Sequence, residues 1–154
     1  MTGVTELNKQ RVRLFIEAVW NEGRVEMIDE LVADDYVGRM PCLDSGVLGP
    51  GGVRRLVVGR RRAHPDLHVK IEDQVAEEDR VVTRWRATTG PAARDSGAPT
   101  SRAQYYAGIS IIRLLAGKQV DSHTEYTELT PHVPYEQVRS AGPGPSAAMR
   151  GEAT

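Results

Sequence analysis

Apolar residues recur at helical spacing up to about residue 63 and at alternate positions through most of the remaining chain, with the change of period at His64-Pro65-Asp66. Val12, Phe15, Ile16 and Val19 form one face of an amphipathic helix that runs through Trp20 and stops at Asn21-Glu22-Gly23. A second helix comes at once, with Val25, Ile28, Leu31 and Val32 on its stripe and Asp29, Glu30, Asp34 and Asp35 opposite or at its end. Two helices so closely joined form a hairpin. Tyr36-Val37 then begins a short extended piece, and Pro41, Gly46 and Gly49-Pro50-Gly51-Gly52 make a turn-rich loop at the edge of a pocket. Helical spacing returns from Val53, with Leu56 and Val57 inward and Arg60-Arg61-Arg62 near the end, until His64-Pro65 interrupts it.

Beyond Pro65 the period is two. Leu67, Val69 and Ile71 alternate with His68, Lys70 and Glu72, and Val75 extends this strand past a local irregularity. A charged turn, Glu77-Glu78-Asp79, leads into a strand with Val81, Thr83, Trp85 and Ala87 on one side and Val82, Arg84 and Arg86 on the other. The segment Gly90 to Thr100 is too rich in Gly, Pro and small residues for a central strand and reads as a loop. Tyr105 to Leu115 is the most apolar strand, and Ala116-Gly117-Lys118 turns it into a closing strand, Gln119 to Leu129.

Three helices and then an antiparallel meander make an α+β pattern, with the helices packed on one face of a strongly curved, mainly antiparallel sheet. Such a sheet is a cone whose inner end is an apolar pocket closed by helices and loops. The length of 154 residues, 40% of them hydrophobic, suits one domain, placed at residues 1–135. After Pro131 periodicity is lost, and residues 136–154, with Gly142-Pro143-Gly144-Pro145, read as a disordered tail. A formal net charge of -1 gives no basic footprint for nucleic acid or an anionic membrane. Cys42 stands alone, without a disulfide partner or a cysteine metal cluster, which suits a reducing cytoplasm. No apolar run approaches the roughly 20 residues that span a bilayer, and Met1 to Glu6 lack the pattern of a signal peptide. The expectation is a cytoplasmic protein with a small-molecule partner.

Candidate chemistry concentrates on the closing strand, where alternation puts Asp121, His123 and Glu125 on one face. An aspartate abstracts a proton from a carbon flanked by carbonyls near neutral pH only where an apolar pocket raises its pKa. Asp121 meets that condition beside the apolar run Ile109-Ser110-Ile111-Ile112; otherwise it succeeds a turn and faces water. His123, two residues on, is placed to relay a proton or to hydrogen-bond an enolate oxygen, or is a half-exposed strand histidine. Glu125, nearer the strand end, reads as solvent-facing or salt-bridged. Tyr105 and Tyr106 point to opposite faces, so at most one enters the pocket. Trp85 suits a wall that stacks on a flat, conjugated ligand, and Tyr36 reaches the pocket from the helical side; core packing is the alternative for both. His64, before Pro65, reads as a helix-terminal residue that caps carbonyls or meets solvent. The arginine run is either a solvated helix face or a patch for an acidic carrier domain. His68 and His132 have no partner spacing, so no metal site is expected.

The series Trp20-Asn21-Glu22-Gly23, Gly49-Pro50-Gly51-Gly52, His64-Pro65-Asp66, Glu78-Asp79-Arg80-Val81-Val82, Trp85, Gly97-Ala98-Pro99-Thr100 and Gly117-Lys118 resembles, in order and spacing, the SnoaL-like polyketide cyclases of the NTF2-like (ketosteroid-isomerase-like) superfamily. The resemblance runs from about Val12 to Leu129 and implies a cone-shaped α+β barrel that forms homodimers by packing sheets face to face. It also implies an enzyme without metal or organic cofactor, a cyclase or isomerase acting on a polyketide-like intermediate in secondary-metabolite biosynthesis. In such cyclases an acidic residue of the last strand is the acid/base, often with a histidine on the strand before. Asp121 falls at the acidic position, whereas Tyr105 to Ser110 hold no histidine, so His123 or a tyrosine is the substitute. The superfamily hosts other chemistry, which keeps two rivals open. One is an epoxide-opening hydrolase, ether cyclase or shape-guided cycloaddition cyclase. The other is a non-enzymatic binding or dimerisation module.

Overall fold

In the computed structural model of the chain, which describes residues 3–90 and 103–129, the first apolar stripe forms helix α1, Val4–Leu14, and widens without a break into a π-helical segment, Phe15–Asn21. The widening turns Phe15, Ile16, Ala18 and Val19 all into the interior. The second stripe yields less helix than its spacing predicts. A 3-10 turn, Val25–Met27, leads into a single α-helical turn, α2 (Ile28–Leu31), and the backbone is already extended at Val32. Ile28, Leu31 and Val32 are nonetheless at most 1% exposed. The apolar stripe thus continues across the boundary: Ile28 and Leu31 are buried from α2, while Val32, already extended, is buried from the strand that follows and gains sheet pairing as well.

The resulting strand, β1 (Val32–Arg39), pairs in parallel with the chain's closing strand and antiparallel with a two-residue strand, β2 (Val47–Leu48). Helix α3 (Gly49–Ala63) begins ahead of the expected Val53, because Pro50 stands in its first turn, where a missing N–H is harmless. Pro65 stops it. The meander comes next, as β3 (His68–Glu77), β4 (Arg80–Thr89), β5 (Gln104–Leu115) and β6 (Lys118–Leu129). The sheet order is β2-β1-β6-β5-β4-β3, so the sheet is mixed and open, its edges at β2 and β3. The three helices pack on one face, around Val12, Val19, Val57 and Val81, each fully buried. This is the expected cone-shaped α+β fold. Most of the expected loop from Gly90 to Thr100, and the expected tail from residue 136, lie outside the described residues.

Two bulges matter for the site. One, between Ile71 and Asp73, is the irregularity expected in β3. The other lies where β6 leaves its turn: Gln119 pairs with Leu114, but the next partner of Arg113 is Asp121, leaving Val120 as the extra residue.

Candidate active site

The concave face of the sheet is built in rows across β4, β5 and β6. Thr83, Ser110 and Thr124 form one row, and Trp85, Gly108 and Tyr126 the next. Above them, with the helices as roof, lies a cavity of about 170 Å³ walled mainly by apolar surface, including Ile16, Val69, Ala87 and Ile112. Trp85 donates its indole N–H to Ser110 Oγ at 3.0 Å, and the Ser110 and Thr124 hydroxyls share a bond of 2.9 Å. That shared bond uses one of two hydroxyl hydrogens. Whichever residue donates, the other hydrogen is left to be offered to a ligand.

Tyr106 and Tyr126 meet edge to face at 6.1 Å, and the Tyr126 ring also approaches Trp85 at 6.2 Å. All three line the cavity. Burial and then the negative charge of Glu128 hold the Tyr106 phenol above its ordinary range, while Arg60 pulls the other way.

The helical side supplies Trp20, Arg60 and His64. Arg60 in the last turn of α3 and His64, the residue that caps it, are four positions apart and continue the inward stripe of Val53, Leu56 and Val57. His64 closes the helix by donating its N–H to the Arg60 carbonyl at 2.9 Å. Its own backbone has left the helix (φ -136°, ψ 80°), as the succeeding Pro65 requires, and its half-buried side chain faces the cavity. The three arginines diverge around the helix. Arg61 turns back to the carbonyls of Trp20 and Asn21 at 2.7 and 3.0 Å and so caps the π-helical segment. Arg62 is exposed, and Arg60 reaches the Tyr126 hydroxyl at 3.4 Å. Asn21 completes the joint by a two-way bond with the backbone of Val69, 2.8 Å to its carbonyl and 2.7 Å from its N–H.

Asp121, His123 and Glu125 do share a face, but it is the outer one. Asp121 pairs with Arg113, His123 with Ile111 and Glu125 with Ile109, and the side chains of His123 and Glu125 are 56% and 72% exposed and joined at 2.8 Å. None lines the cavity, so the expected placement of Asp121 and His123 in an apolar pocket is corrected. The bulge at Val120 is the reason. An unbroken ladder from Gln119 would pair Asp121 with inward-facing Ile112; one extra residue moves it to the other side. Of the tyrosines, Tyr106 enters the cavity and Tyr105 lies on the outer face, 38% exposed. Tyr36 points inward without lining the cavity, and is buried with its hydroxyl 2.6 Å from Ser122 Oγ. Burial is the main cause that raises its phenol pKa; the Ser122 bond opposes this, and the charge of Asp121 adds to it.

Sequence reading missed Arg60, His64, Ser110, Thr124 and Tyr126 as cavity residues. For the first two the signal was present, since they extend the apolar stripe of α3; for the others it depended on the parity of β5 and β6. Among the described residues no group of three or more His, Cys, Asp or Glu side chains is placed to hold a metal ion, and no helix is long and apolar enough to cross a membrane.

Solved structures share this architecture. A protein from Acidithiobacillus ferrooxidans put forward as a polyketide cyclase superposes with a TM-score of 0.67 at 22% identity, over 80% of this chain and 90% of its own. IdmH from Streptomyces antibioticus, put forward as a polyketide cyclase, gives 0.64 at 24% identity, over 77% and 91%. A protein from Kribbella flavida put forward as a ketosteroid isomerase gives 0.63 at 15% identity, over 88% of each chain. At these identities the likeness establishes the fold. No protein of curated function matches the chain significantly. The family is established by sequence: the model of the SnoaL-like polyketide cyclases matches residues 10–131, nearly all of α1 to β6, and the chain belongs to that family.

Proposed function

We propose that the chain is a cytoplasmic, cofactor-independent cyclase or isomerase that acts on a polyketide-like intermediate in secondary-metabolite, such as antibiotic, biosynthesis. The observation that carries this reading is the convergence of an imidazole, His64, and the Ser110–Thr124 hydroxyl pair on one apolar cavity. His64 takes a proton from a carbon flanked by carbonyls, and the unspent hydroxyl hydrogen is donated to the enolate oxygen as charge develops there. In a cyclisation the enolate carbon bonds to a second carbonyl carbon of the same molecule, and the imidazolium returns its proton to the resulting alkoxide. Trp85 and Tyr106 hold a flat, conjugated chain, and the apolar walls bring its reacting ends together. Acid/base roles for Asp121 and His123 would require reach from the outer face. Epoxide opening is less well supported, because no carboxylate is among the described lining residues.

The test is proton exchange. Wild-type protein in deuterated buffer is expected to speed deuterium uptake at the acidic carbon of a bicyclic β-diketone, monitored by NMR, and His64→Gln to lose about a hundredfold or more of that rate. Exchange no faster than in buffer would contradict the reading.

We further propose a homodimer formed through the outer sheet face, where Val75, Val82 and Ile111 stand side by side across three strands, with Ile109 adjacent. Val75, Ile109 and Ile111 are 58%, 47% and 45% exposed. Apolar side chains so clustered favour a partner surface. Sedimentation should show a dimer that Ile111→Glu converts to a folded monomer; a wild-type monomer would rule the dimer out.

A further inference from the structure

We infer that Arg60 is an anion anchor and that the cavity takes a flat substrate bearing a free carboxylate, held by Arg60 and the Tyr126 hydroxyl. The inference rests on the cavity being the substrate site proposed above. It starts from an imbalance of partners on α3. Arg61 satisfies two carbonyls at 2.7 and 3.0 Å, and Arg62 is exposed, whereas Arg60 lies half-buried at the cavity with one long contact, 3.4 Å to Tyr126. Among the described residues Arg60 forms no ion pair, and no carboxylate lines the cavity. Glu128, whose charge is felt at Tyr106, is exposed at the end of β6 and lies beyond ion-pair distance of Arg60.

A guanidinium carries five donors in a planar fork that matches a carboxylate, and removal from bulk water strengthens that pairing. Tyr126 reinforces it. Its oxygen accepts from Arg60, so its own hydrogen remains to be donated to the same anion. The anchor sits on the helical side and the Ser110–Thr124 hydroxyls on the sheet side. One substrate therefore meets a charged clamp at one end and a carbonyl-directed donor at another, an arrangement that fixes its orientation. An ester or amide of the same shape would lack the charge that Arg60 recognises.

Calorimetric titration with naphthalene-2-carboxylate and its isosteric carboxamide tests this directly. Wild-type protein should bind the carboxylate at least about tenfold more tightly, as expected of a charge-assisted contact. Arg60→Gln should bring the ratio near one, Arg60→Lys should keep most of it, and Arg62→Gln should leave it unchanged. Equal binding of both probes to wild-type protein would overturn the anchor while leaving the cavity as a ligand site. A preference that survives Arg60→Gln, or falls equally in Arg62→Gln, would also overturn the anchor. If neither probe binds, the anchor and the substrate-site reading fall together.

Discussion

Gly108 sets the geometry of the cavity's sheet side. It stands on β5 between Trp85 and Tyr126, and a Cβ at this position would collide with the indole. Its bare backbone therefore lets the rings from β4 and β6 close over β5 and brings the indole N–H onto Ser110. Tyr36 acts differently, as a buried strut. Tyr36→Phe leaves the buried Ser122 hydroxyl without its partner and should cost about 1 kcal/mol in urea unfolding near neutral pH. The raised phenol pKa gives the sign of the pH dependence. The folded state favours neutral Tyr36, so this contribution is intact below the unfolded value of about 10 and declines as pH rises toward the higher folded value. The stability gap between wild type and Tyr36→Phe should therefore narrow from about pH 8 to about pH 11. A gap that widens would show that burial is not what dominates at Tyr36.

At the scale of elements, the period-two runs of β3 to β6 were legible because one face of each strand is buried and the other wet. Which face was which was not. The two-residue turn at Ala116 and Gly117, both at positive φ, and the bulge just beyond it fix the parity of β6, and neither the number of paired residues nor the bulge is written in the alternation itself. The place of Asp121 on the closing strand was thus readable while its orientation was not. The second helix was legible but its end was not, since Val32 continues the apolar stripe of Ile28 and Leu31 and yet opens β1. The turn itself offers a check. Ala116 at φ 50° bears a left-handed penalty that glycine avoids, so Ala116→Gly should raise the urea midpoint by the equivalent of about 0.5–1 kcal/mol. A lower midpoint would indicate a different turn, and with it a different register for β6.

At the scale of the whole molecule, the two faces of one sheet divide the work. The concave face carries hydroxyls, aromatic rings and, across from them, the α3 pair Arg60 and His64; the outer face carries exposed Ile109 and Ile111 beside the His123–Glu125 pair. Membership of the SnoaL-like polyketide cyclases was legible from the order and spacing of turn motifs. The cavity residues proposed to react were not, because they come from the end of α3, β5 and β6 and converge only on folding. The most direct measurement is the rate of deuterium exchange into the bicyclic β-diketone, taken side by side for His64→Gln and for the Asp121→Asn, His123→Ala double variant. The expected result is a loss of about a hundredfold or more for His64→Gln with little change in the double variant. The reverse, exchange that survives in His64→Gln and collapses in the double variant, would contradict a site on the concave face.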